Sequence, residues 1–134
     1  MPRMTWRNGA AALLGAVALC LCHVPPLGAM EILGQAGVLG EWELTGHLTE
    51  SAAGTPRQFS GPLKVKHVGI CVQDGPEERA GEIRLQFTGA DSQVTAELVL
   101  DGAPCIYSAR KTHNYEGTLS CEGRAPVPLL VWLK

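Results

Sequence analysis

Downstream of residue 29, the side chains that could carry chemistry are His47, His67 and His113, the thiols of Cys71, Cys105 and Cys121, and scattered carboxylates. Their spacing argues against most of the chemistry they could do. The histidines form no HxH or HxxxH pair and fall on separate segments. A zinc centre draws its ligands from characteristic short spacings such as CxxC, and there is none. Ser51, Ser60, Ser92, Ser108 and Ser120 lack the Gly-x-Ser-x-Gly turn that exposes a nucleophile beside oxyanion donors. Cys71 paired with a histidine would make a thiol nucleophile. Its neighbours Gly69-Ile70-Cys71-Val72 read instead as a buried strand, where a thiol behaves as a small hydrophobe. Asp74-Gly75-Pro76-Glu77-Glu78 offers hard oxygens without the alternating Asp/Asn ligands of a calcium loop. Gly-rich phosphate and dinucleotide fingerprints are missing. The expectation is a protein without metal, cofactor or catalytic activity. With a formal charge of −2 and an isoelectric point near 6.1, it carries no electrostatic footprint for nucleic acid.

One segment stands out as a binding element. Arg110-Lys111-Thr112-His113-Asn114-Tyr115 gathers two fixed positive charges and an aromatic ring on an otherwise acidic chain. If residues 105–121 form a hairpin centred on His113, residue 105 lies opposite 121, 107 opposite 119 and 109 opposite 117. Opposed Cα atoms are about 4.5–5.5 Å apart, within reach of a disulfide. Cys105 and Cys121 are therefore the candidate bridge, although a sheet that brought Cys71 beside either would allow the other pairings. A staple at its base would preorganise the tip, and preorganisation lowers the entropic cost of binding. Arg110, Lys111, His113 and Tyr115 are the expected partner-binding residues.

The elements that must position this tip follow a leader. Arg3 and Arg7 precede an apolar run from Ala10 to Leu21, then Pro25-Pro26 and Leu27-Gly28-Ala29. This order describes a secretory signal peptide cleaved after Ala29. The run is shorter than the roughly 20 residues of a spanning helix. Cys20 and Cys22 each follow a leucine, unlike a lipidation site. Cleavage removes Arg3 and Arg7 but no acidic residue, so the mature chain is more acidic than the whole. The expectation is an exported protein, periplasmic or secreted, with residues 1–29 as leader and 30–134 as a single domain. Oxidising compartments favour the disulfide.

Within 30–134 the hydrophobic period is two. Met30–Leu39 is Gly-broken and reads as a lead-in or one helical turn. Gly40–Thr49 alternates, with Trp42, Leu44, Gly46 and Leu48 on one face. Phe59–Val72 is a second strand region whose phase slips near Lys66–Gly69, which a bulge would explain. His67 falls at that slip, and His47 lies on the polar face of the first strand. Residues 82–100 read as a hairpin with Ile83, Leu85, Phe87, Val94, Ala96, Leu98 and Leu100 inward. Pro104–Ala109, Tyr115–Cys121 and Val127–Leu133 follow. About seven short strands joined by short links predict an all-β domain, a small antiparallel meander barrel or partly open sandwich. Polar outer faces exclude an outer-membrane barrel. The last strand, Leu129–Leu133, is apolar on both faces, and a cluster of Trp42 with Trp132 would join the first strand to the last.

Gly40-Glu41-Trp42, in Leu39-Gly-Glu-Trp-Glu-Leu-Thr45, resembles the Gly-x-Trp opening of calycin-type barrels, which include lipocalins and small secreted bacterial metalloprotease inhibitors. The resemblance covers fewer than ten residues. It implies a barrel with the tryptophan packed at one end and an interior able to hold a ligand, with Trp42, Leu85, Phe87 and Leu98 as cavity candidates. The functional expectation is a binding domain engaging a protein partner, as an inhibitor would, or a small apolar ligand. The alternative is an envelope-associated structural module that self-associates through its C-terminal strand.

Overall fold

The computed structural model describes residues 28–52, 56–69, 75 and 77–134. Nearly all of the expected leader, and Cys71, lie outside them. The described residues build β1 (Ala29–Ala36), β2 (Trp42–Ala52), β3 (Gln58–His67), β4 (Glu78–Thr88), β5 (Gln93–Leu100), β6 (Ala103–Lys111), β7 (Tyr115–Cys121) and β8 (Val127–Leu133). Every neighbour is antiparallel, and β8 returns to pair with β1, closing a barrel in chain order. Closure leaves no strand edge unpaired.

The alternating pattern accounts for the interior. Leu44 and Leu48 of β2, Ile83 and Leu85 of β4, Val94 and Leu98 of β5, Tyr107 of β6 and Val131 of β8 are all buried in one core. The intervening polar residues face outward. The β5–β6 connection is the two-residue turn Asp101-Gly102, with φ of 48° and 78°, which matches the twist of a tight hairpin. At Gly117 the wall bends so closely that a Cβ would strike the Ser108 carbonyl oxygen and Ala109.

The sequence expectation differs from the structure in four places. Residues 29–36 are a strand, not a lead-in or helical turn. Ile32, Gly34 and Ala36 point inward while Leu33 points outward, so small or apolar residues on both faces conceal the period. The strands among the described residues therefore number eight, and Gly40-Glu41-Trp42 leads into the second. The register shift lies in β2 between Glu50 and Ala52, whereas β3 ends at His67. Trp42 and Trp132 do not cluster. Trp42 packs against the core at one end, while Trp132 is on the outer face of β8, opposite Leu33 in the register with β1. Leu129 and Val131 are buried, and Leu130 and Trp132 form a half-buried outer strip.

The barrel has two ends. The Trp42 end carries the β1–β2 turn, the approach to β4, Asp101-Gly102 and the β7–β8 turn. The His113 end carries the start of β1, the β2–β3 loop, the β4–β5 turn, the β6–β7 tip and Lys134.

Candidate functional site

The β6–β7 hairpin forms in the expected register. Cys105 opposes Cys121, Tyr107 opposes Leu119 and Ala109 opposes Gly117. The Cys105 and Cys121 sulfurs are 2.04 Å apart and the Cα atoms 4.0 Å apart, so the bridge staples the hairpin base on its inner face. At the tip, the Thr112 amide donates to the Asn114 carbonyl at 2.8 Å, and the Lys111 amide donates to Ser92 O at 2.8 Å. The second bond fastens the tip to the β4–β5 turn.

The four expected binding residues separate. Lys111 and His113 are exposed on the rim of an open hollow of about 340 Å³. Arg110 is exposed on the outer wall, paired in register with Glu116. Tyr115 does not stand out at the tip with the other three. It shares the inward phase of Leu119 and Cys121, is 6% exposed, and forms part of the floor. Its hydroxyl donates to the Asp91 carbonyl at 2.8 Å. Burial raises its pKa above 10.0, the Asp91 charge adds to this, and Arg57 partly opposes it.

An aromatic stack closes the barrel beneath this hollow. Phe59 meets Phe87 edge-on at 5.8 Å, and Phe87 meets Tyr115 at 6.0 Å. Arg57 lies across it, 5.2 Å from the Phe59 ring centre and 5.7 Å from that of Phe87. Its guanidinium also approaches Asp91 at 3.4 Å and Glu50 at 4.0 Å. Asp91 is presented by a left-handed run in which Gly89, Ala90 and Asp91 have φ of 59°, 55° and 64°. Nothing in the sequence marks Arg57 or Asp91, because loop residues carry no periodic signal. The inward phase of Tyr115, by contrast, was present in its spacing from Leu119 and Cys121.

The cavity candidates do not line a common cavity. Leu85 and Leu98 are 0% and 1% exposed and pack in the middle of the core. Phe87 belongs to the His113 end and Trp42 to the other. There, Arg79 lies 5.2 Å from the Trp42 ring centre and His67 meets the ring edge-on at 4.6 Å. Arg79 is held by Glu77 at 2.6 Å and Asp101 at 3.6 Å. Beside Trp42 opens a smaller cavity of about 140 Å³, with Leu44, Val65, Leu119 and Val127 in its walls and Arg124 at its rim.

His47 is exposed on the outer wall, and His67 and His113 sit at opposite ends. Among the described residues, no group of three or more His, Cys, Asp or Glu side chains could hold a metal ion. No helix among them is long and apolar enough to cross a membrane.

No protein-family description matches the chain, and neither a curated protein nor a solved structure matches it. Gly40-Glu41-Trp42 leads into β2, not the first strand, and Trp42 packs against one end of the core.

Proposed function

We propose that this domain is an exported, non-catalytic binding barrel that captures a protein partner with its His113 end, as an inhibitor would. The observation that carries this reading is the meeting of Lys111 and His113 with an apolar floor of Phe87, Tyr115, Met30 and Leu133 around one hollow. The Lys111 ammonium at the rim gives steering and register, and an apolar floor gives burial. The tip is stapled at its base and hydrogen-bonded to the neighbouring turn, so little entropy is lost on contact. The close-packed interior between the two ends favours a protein partner over a small ligand held inside the barrel.

A photo-crosslinking residue at position 113, introduced in the producing cell, tests this reading. The expected result is one dominant adduct that disappears when Arg110 and Lys111 are replaced by Glu. A tip that forms no adduct, or whose adduct survives charge reversal, refutes it.

The outer strip of Leu33, Leu130 and Trp132 supports the alternative of self-association through β8. Because both edges of β8 are already paired, such contact would use the face of the strand. A light-scattering mass of one chain at high concentration would remove that alternative.

A further inference from the structure

The Trp42 end presents a second surface of different chemistry. Val38, Leu39 and Val68 are 83%, 91% and 45% exposed, and they are most of the large apolar side chains left in solvent among the described residues. This exposure is built into the backbone. Gly37 and Gly40, with φ of 97° and 65°, turn the chain so that Val38 and Leu39 occupy the apex. The Gly40 amide donates to Gly37 O at 3.2 Å, and the Leu39 amide donates to the Glu41 carboxylate at 3.0 Å. The Val68 amide donates to Glu41 O at 2.8 Å, which draws the third apolar residue to the same crown. Gly37, Glu41 and Trp42 also line the 140 Å³ cavity. A cavity of this size has room for one benzene-sized group.

The described residues around this crown are net acidic. Glu41, Glu43, Glu77, Glu78, Asp101 and Glu122 outnumber Lys66, Arg79 and Arg124; Arg79 is already engaged by Glu77 and Asp101, and Arg124 stands at the cavity rim. A free small molecule could fill the cavity but would leave Val38 and Leu39 in water. An anionic bilayer could cover those residues but is repelled by the acidic ring. A cationic chain with an apolar anchor satisfies cavity, crown and ring together.

We propose that the Trp42 end docks a protein segment that inserts one apolar side chain beside Trp42 and sets flanking lysines or arginines against the acidic ring. This surface lies opposite the tip and stands independently of the function proposed for the tip.

The probes are fluorescein-labelled Lys-Lys-Phe-Lys-Lys, its Glu-flanked counterpart and its Phe-to-Ala counterpart, with anisotropy measured on the full chain. The basic Phe peptide is expected to bind. Each counterpart should bind at least tenfold more weakly, with the preference for basic flanks shrinking as salt rises. Ala125→Phe, at an exposed cavity-lining position, should block the mouth and reduce binding at least tenfold without disturbing the core. Replacing Arg110 and Lys111 by Glu should leave this binding unchanged. The proposal is overturned if no peptide binds, if acidic and basic Phe peptides bind alike, if Ala125→Phe has no effect, or if phosphatidylglycerol vesicles bind in place of the basic peptide.

Discussion

Replacing Tyr107 by phenylalanine removes one oxygen from the middle of the core and exchanges one kind of stability for another. The Tyr107 ring is 0% exposed, and its hydroxyl donates to the Tyr115 carbonyl at 3.0 Å and the Leu129 carbonyl at 3.3 Å, tying β6 to β7 and β8. A buried hydrogen bond contributes about 0.5–1.5 kcal/mol net. With two acceptors losing their shared donor, Tyr107→Phe should cost about 1.5 kcal/mol at pH 7, a fall in Tm of about 6–10 °C for a domain of this size. Burial, reinforced by the Glu116 charge, raises the Tyr107 pKa well above 10.0. Above pH 10 the unfolded chain releases this proton while the folded chain keeps it. Stability therefore falls with rising pH by about 1.4 kcal/mol per unit. The native hydroxyl is an advantage below pH 10, and that advantage is exhausted near pH 11. Tyr115 is present in both proteins and cancels. Urea unfolding at pH 7, 10, 10.5, 11 and 11.5 should give two stability curves that cross at about pH 11. Parallel curves, or equal stabilities at pH 7, would refute the reasoning.

Four further outcomes follow from the same geometry. Replacing Cys105 and Cys121 by Ser opens a loop with a sequence separation of 16 and should cost about 3 kcal/mol by chain entropy. A loss under about 1 kcal/mol in denaturant would contradict that estimate. Ala90 holds a left-handed φ of 55°, so Ala90→Gly should stabilise by about 0.5–1 kcal/mol, read as a higher unfolding midpoint. Gly117→Ala should cost about 2–3 kcal/mol because its Cβ meets backbone, and an unchanged Tm would show that the wall can yield there. Replacing Arg110, Lys111 and His113 together by Ala should leave stability within about 0.5 kcal/mol, since all three are exposed. A larger loss by calorimetry would give the tip a structural role.

The parts of the fold legible in the sequence are those where one face is apolar and the other polar. Ile83, Leu85 and Phe87 alternate with Glu82, Arg84 and Gln86, and the structure pairs them with Leu98, Ala96 and Val94. The β6–β7 register was equally readable, because the Cys105–Cys121 spacing fits a hairpin centred on His113. A barrel is legible in the sequence, but β1 is hidden because Leu33 and Gly34 reverse the usual contrast between faces, and without β1 the strand count falls one short and the strand that closes the barrel is misassigned. The β6–β7 tip itself is legible as a turn, and the parity of Tyr115 with Leu119 and Cys121 places its ring inside, away from its charged neighbours. Arg57, Asp91 and the Val38–Leu39 apex owe their roles to turns that bring distant segments together, which no local pattern encodes.

Barrel closure has a kinetic consequence. Ile32–Ala36 pair with Leu129–Leu133, so the two seams of β1 differ greatly in the length of chain that must be brought together. A chain delivered from its N-terminus can zip the successive hairpins early, but β1 waits with one side open until β8 arrives. In that interval the open edges of β1 and β7 invite pairing with other copies. Nascent chains truncated before Val127 should accordingly be sticky, protease-sensitive and easily threaded through a narrow pore, and that pliancy should vanish within the last seven-residue strand.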